Sequence, residues 1–214
     1  MNPAAVAGVF WLLTTLWQIP PPNSSPGQGP LLNEEHIESG ETSSPGGGRI
    51  LYRIRLLPIS SFPNLPAPVA DELNRRQCMI PQSFEAKQPE NVIHGAFHAA
   101  GSGDWAALCS SHGTTTLLVF FSGQFDAPIS LRGQPDAAWL GAEPGNSIFG
   151  SSWGISVRSV AELHASPELR RAAPIDHDAI EDARLERSVV VHYFQAGRWL
   201  ILNRGDSSDQ GSFF

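Results

Sequence analysis

Apolar and basic side chains alternate along Arg49-Ile50-Leu51-Tyr52-Arg53-Ile54-Arg55-Leu56. That period of two predicts a half-buried strand. A second pattern begins at Pro68, where Val69–Arg76 (VADELNRR) has the proline start and spacing of a short helix. Asn91–Phe97, Asp104–Cys109 and Thr115–Phe121 then read as strands. The last is a continuous β-branched and aromatic run, which implies burial on both faces. Ser110-Ser111-His112-Gly113-Thr114 is short enough to close a hairpin between the last two. Residues 123–154 are rich in Gly, Pro and Ser and show no period. Ile155–Val160 alternates again and predicts a strand. A short helix is expected near 178–185, and a second hairpin, Ser188–Phe194 with Trp199–Asn203, turns near Ala196-Gly197. The sum is an α+β domain: a mainly antiparallel sheet of six to seven strands with one or two short helices. No internal repeat is seen at a solenoid or propeller period.

The pattern is different before residue 49. Ala4–Trp17 (AAVAGVFWLLTTLW) is one uncharged apolar run, short for a membrane span of about 20 residues and of signal-peptide length. Residues 1–19 are therefore read as a signal peptide, with an uncleaved membrane anchor or a buried helix as the alternatives. No basic residue precedes the run and no A-x-A site follows it, so cleavage is poorly marked. Residues 20–48 (PPPNSSPGQG and onward) are Pro, Gly, Ser and Glu, too polar to offset their ordering entropy, and read as a disordered spacer. The globular domain is expected at 49–205, with a frayed tail at 206–214.

Charge narrows the partners. The chain carries −7. The first 48 residues hold four Glu and no Lys or Arg, which leaves 14 basic and 17 acidic residues beyond them. With no basic stripe to neutralise phosphates, nucleic acid is set aside. A membrane enters only through the N-terminal segment if it stays attached. Cys78 and Cys109 are the only cysteines; in an exported chain an even count favours a disulfide, here between the end of the helix and a strand. Two buried thiols are the alternative. The spacing matches no zinc pattern.

Few constellations point to chemistry. Gly150-Ser151-Ser152-Trp153-Gly154 matches G-x-S-x-G, in which a strand-to-helix turn exposes the serine beside backbone amides. Ser152, an acid such as Asp176 or Asp178, and His192 would follow in triad order. The segment after Ser152 reads as strand, however, so the turn lacks its helix. Asp176-His177-Asp178 with Glu181 and Asp182 concentrates carboxylates. The chain has no EF-hand loop, and capping of the 178–185 helix is the simpler use. His94 and His98 lie about 13 Å apart on a strand, too far to share a metal. No metal or other cofactor is expected. Trp105 and Trp199 fall in strands and read as core. Trp139 and Trp153 fall in the irregular middle and are the candidates for an exposed ligand platform against a glycan or an envelope protein.

Gly95-Ala96-Phe97 through Gly103-Asp104-Trp105-Ala106-Ala107-Leu108 resembles one FG-GAP-type unit. In such units, acidic residues between the glycines bind calcium. Here that stretch is His98-Ala99-Ala100-Gly101-Ser102, and Asp104 is the only carboxylate. More broadly, Cys78-Met79-Ile80-Pro81-Gln82, Asn91-Val92-Ile93, Asp104-Trp105-Ala106-Ala107-Leu108-Cys109-Ser110 and Ile175-Asp176-His177-Asp178 resemble uncharacterised exported bacterial proteins. That resemblance implies a periplasmic, cell-envelope or secreted location. The leading functional reading is a non-enzymatic exported binding or envelope-interaction module. The alternative is a small secreted serine hydrolase, esterase-like, using Ser152.

Overall fold

The computed structural model describes residues 34–43, 47–142, 148–166, 174–185 and 188–202. The expected export segment at 1–19, the spacer up to residue 33 and the tail at 206–214 lie outside the described residues. In chain order the first elements are β1 (His36–Ser43), β2 (Arg49–Leu57), α1 (Ala67–Arg75) and β3 (Ile80–Gln82). Next come β4 (Val92–Gly95), β5 (Asp104–Ser111), β6 (Thr114–Phe120) and β7 (Ile129–Pro135). They are followed by β8 (Leu140–Ala142), β9 (Phe149–Ser151), β10 (Trp153–Arg158) and α2 (Val160–Ala165). The series ends with β11 (Ala179–Arg184), β12 (Ser188–Gln195) and β13 (Arg198–Ile201).

The expected α+β class gives way to a predominantly β fold: among the described residues, thirteen strands in three sheets accompany only two short helices. Two of the sheets are four-stranded antiparallel meanders, β4-β5-β6-β7 and β10-β11-β12-β13. The third has the order β1-β2-β9-β8, with β3 also paired to β2. Both long hairpins turn where the sequence places them. His112-Gly113 and Ala196-Gly197 have φ of 53°, 76°, 50° and 80°. Two successive left-handed residues give the turn whose twist matches that of the flanking strands.

The meanders pack face to face. Phe97, Ala106, Leu108, Leu117 and Val119 of the first meet Trp153, Ile155 and Ile180 of the second in one apolar cluster. Each outer face carries a helix. Val69 and Leu73 of α1 pack on Ala107, Leu118 and Phe120, while Leu163 of α2 packs on Ala179, Val191 and Tyr193. Thus β5 and β6 are covered on both sides, which explains their unbroken apolar runs. Helix α1 ends with Gln77 in the left-handed region (φ 59°) and the Cys78 N–H returned to Leu73 O at 2.9 Å. This places Cys78 against β5, where it forms a disulfide with Cys109.

Two segments differ from the sequence reading. His36–Ser43, counted there with the spacer, is strand β1, paired along its whole length with β2. Its polar composition suits an edge strand, where charged side chains deter further pairing. Glu35 reaches Arg55, Glu38 reaches Tyr52 and Glu41 reaches Arg49. Gly40 lies under the Tyr52 ring, where a Cβ would come within 2.5 Å of its hydroxyl. The helix expected at 178–185 is strand β11, paired on one side with β10 and on the other with β12. Ala, Glu and Arg favour helix locally, but the two ladders override that preference.

Candidate functional site

Asp104 opens β5 and is fully buried. Its Oδ2 accepts the Phe97 and His98 N–H groups at 2.8 and 2.9 Å and the Ser102 hydroxyl at 2.5 Å. Its Oδ1 accepts the Ser122 N–H at 2.8 Å. His98 Nδ1 lies 2.8 Å from both oxygens. A carboxylate only accepts, so this contact puts a proton on Nδ1, and in the neutral ring Nε2 is then the acceptor. Burial alone would raise the Asp104 pKa; the donors from Ser102, Ser122 and His98 outweigh it and hold the carboxyl below its ordinary value. The loop from Gly95 to Gly103 is thus organised by hydrogen bonds to one carboxylate of its own chain.

The His98 side chain is 31% exposed and leans on Phe121, with ring centroids 4.7 Å apart. Phe121 in turn meets Phe194 at 5.0 Å and Trp199 at 6.2 Å, and Phe194 meets Trp199 edge-on. The register pairs Phe194 with Trp199 across the β12–β13 hairpin, so both leave the same face. Ile201, two residues further along β13, is 58% exposed. His98, Phe121, Phe194 and Trp199, all half-buried, therefore form an aromatic rim at one edge of the sandwich, with the exposed Ile201 on the Trp199 face of β13.

Deeper between the meanders lies a second His–Asp pair. The buried His192 holds Asp182 Oδ2 through Nε2 at 3.1 Å, and the Trp153 indole N–H donates to Asp182 Oδ1 at 2.7 Å. Arg132 reaches the same carboxylate at 3.4 Å while its guanidinium lies over the Trp139 ring at 4.4 Å. Trp139 and Trp153 stack with centroids 4.0 Å apart and are 5% and 0% exposed. They are core residues, and the expected surface platform does not form from them. The Gly- and Ser-rich stretch around them is short strand whose side chains turn inward. Trp105 and Trp199, read as core, are half-buried and pack against the two apolar clusters.

The proposed hydrolase residues are not brought together. Ser152 is 1% exposed, and both its hydroxyl and its N–H donate to Trp139 O at 2.7 Å. The chain passes through it from β9 into β10 with no helix following, and Gly141 packs against its Cβ. His192 is held by Asp182, whereas Asp176 binds His177 Nδ1 at 2.5 Å and the Tyr193 hydroxyl at 3.2 Å. Asp178 caps, but elsewhere: it accepts the Ala96 N–H and the first N–H of α2, Val160. Its neighbours Glu181 and Asp182 point to opposite faces of β11, toward Arg158 and Trp153. Among the described residues no group of three or more His, Cys, Asp or Glu is placed to hold a metal ion.

Sequence reasoning missed His98, Phe121 and Phe194. The available signal was the spacing of Asp104 behind the Gly95–Gly103 loop, together with an aromatic on each side of the Ala196-Gly197 turn. Asn91 was likewise unmarked. It is buried, has φ 68°, and joins Pro81, Trp153 and Ile155 through its amide, so it pins three sheets at one point. No family model, curated protein or solved structure significantly matches the chain.

Proposed function

We propose that the chain is an exported binding module that contacts its ligand through the aromatic rim at the open edge of the sandwich. The observation that carries this reading is the cluster of Phe121, Phe194 and Trp199 beside a histidine whose tautomer is fixed from behind by a buried aspartate. Aromatic faces take the apolar face of a sugar ring, and a fixed imidazole Nε2 accepts from a hydroxyl. The class of ligand it fits is a neutral glycan of the cell envelope. Export is supported by the apolar segment at 1–19, read as a signal peptide or anchor. The Cys78–Cys109 disulfide is compatible with an oxidising, extracytoplasmic compartment. Among the described residues no helix is long and apolar enough to cross a membrane.

The test is titration of tryptophan emission with chitotetraose and with soluble peptidoglycan fragments. Saturable quenching is expected. Trp199→Ala should weaken binding about tenfold, consistent with the loss of one stacking contact and its desolvated edge. Trp139→Phe, an inward-facing change, should leave it within about twofold. No saturation with either glycan, or equal binding by Trp199→Ala, overturns the reading.

A further inference from the structure

On the outer face of the β4–β7 sheet, α1 covers only part of the surface. It packs on Ala107, Leu118 and Phe120 and ends at Arg75, short of the hairpin end of β5 and β6. Beyond it lies an open cavity of about 340 Å³. Thr114, Thr116, Ser130 and Leu118 line its floor, Ser111 and His112 its rim, and Arg76 and Cys109 its helix side. Gly133, opposite Thr116 on β7, presents no side chain; a Cβ there would stand 3.3 Å from the Thr116 hydroxyl.

The charge of this cavity is one-sided. No carboxylate lines it. Glu72, the carboxylate bonded to Arg76, is buried and held by two cations. Arg75 binds it in a two-point contact at 2.7 and 2.6 Å, and Arg76 binds it through Nε at 2.6 Å. One carboxylate against two guanidinium groups leaves one positive charge in excess. The Arg76 fork is oriented by its Nε contact, and its two terminal nitrogens have no partner among the described residues. A guanidinium held from behind with its end groups open is the arrangement that receives an oxyanion, and hydroxyls around it complete the contacts.

We infer that this cavity is an anion-binding site, separate from the aromatic rim, that takes a phosphate or sulfate group through Arg76 and the hydroxyls of Thr114, Thr116 and Ser130, while the Ser111 hydroxyl donates to Arg76 O at 3.0 Å. Its volume admits more than a bare ion, so the natural ligand is a phosphorylated or sulfated sugar-sized molecule.

The experiment is calorimetric titration of the full chain with inorganic phosphate, inorganic sulfate, glucose 6-phosphate and glucose 6-sulfate, at constant ionic strength set by chloride. Unmodified glucose is the neutral control. Saturable binding of at least one oxyanion is expected, with none for glucose. Preference for a phosphate or a sulfate ester distinguishes the two sources. Arg76→Gln should weaken binding at least tenfold and Thr116→Val several-fold. Arg198→Gln makes the same change in net charge on the exposed end of β13, away from the cavity, and should leave affinity unchanged. Should Arg76→Gln fail to fold once Glu72 loses a partner, Thr116→Val and Gly133→Val, which fills the floor, decide the matter. Absence of saturable binding overturns the inference. Equal loss in Arg198→Gln and Arg76→Gln, or undiminished affinity in the floor variants, removes the site from this cavity.

Discussion

The two His–Asp pairs of this protein are built from the same groups and differ in what lies beyond the imidazole. Asp104 and Asp182 are both buried, at 0% and 2% exposure. Behind Asp104 are three backbone N–H groups and a serine hydroxyl; behind Asp182 are an indole N–H and a guanidinium. His192 is enclosed between the meanders, whereas His98 opens onto the aromatic rim. A buried carboxylate fixes a histidine in either setting. Only the outer one leaves a nitrogen that a ligand reaches, so exposure of the partner separates a pin in the core from a contact group.

The comparison is broken most severely at the carboxylates. Asp104→Ala leaves three backbone N–H groups without an acceptor in the β4–β5 loop and beyond β6, and should cost about 4 kcal/mol in urea unfolding. Asp182→Ala strands one indole and one guanidinium, of which Arg132 is partly solvated, and should cost about 3 kcal/mol. A reversed order would show that the core pair, not the loop pair, holds the sandwich together.

Removing the disulfide calibrates both, because it touches neither. Its sequence separation is 31 residues, and the loop-entropy model assigns such a closure ~3–4 kcal/mol. Cys78→Ala should therefore lower stability by about 3 kcal/mol in oxidising buffer and match the reduced wild type, with glycan binding at the rim unchanged. Equal melting of oxidised and reduced protein would remove the bond from the account of stability.

How far the sequence disclosed this arrangement depends on how local each signal is. The β5–β6 and β12–β13 hairpins were legible, since apolar runs and two-residue turns are properties of neighbouring residues. The Cys78–Cys109 pairing was legible from count and context. Strand β1 was not, because an edge strand of Glu, Ser, Gly and Thr gains its order from Arg49, Tyr52 and Arg55 on β2. Strand β11 was misread because Ala-Ile-Glu-Asp-Ala-Arg is helix-forming in isolation. The site suffered most. Trp139 and Trp153 looked exposed because glycines and serines surround them, yet their rings stack inward. Trp199, read as core from its strand, is half-buried and packs against the cluster between the meanders, with Phe121 and Phe194 beside it. Which face of a strand meets water is decided by the partner sheet, and no local pattern carries it.

Acid gives a gentler probe of the outer pair. Asp104 has a lowered pKa in the folded state, so its hydrogen bonds add stability above the ordinary carboxylate range and lose it as pH falls through the depressed value. Glu72, held down to about 2 chiefly by the Arg75 hydrogen bonds, acts in the same direction on the other face of the sheet. Stability should thus decline below about pH 4. Asp104→Asn should flatten part of that decline and Glu72→Gln another part. A decline of unchanged steepness in Asp104→Asn would mean that its donors do not hold the charged form.

The smallest change tests the distinction itself. His192→Ala opens a cavity between the meanders and takes one of three partners from Asp182, and should cost about 2 kcal/mol. His98→Ala removes one contact of five from Asp104 and exposes the Phe121 edge to water that already reaches it, so its cost should stay below about 1 kcal/mol. The glycan titration should give the opposite order: a several-fold loss for His98→Ala and no change for His192→Ala while the fold is intact. A pin and a contact group cannot both explain the same variant, because a pin moves stability first and a contact group moves affinity first. If His98→Ala proves as destabilising as His192→Ala and binds as the wild type does, the outer pair is a second pin, and the rim loses the polar group that orients a sugar on it.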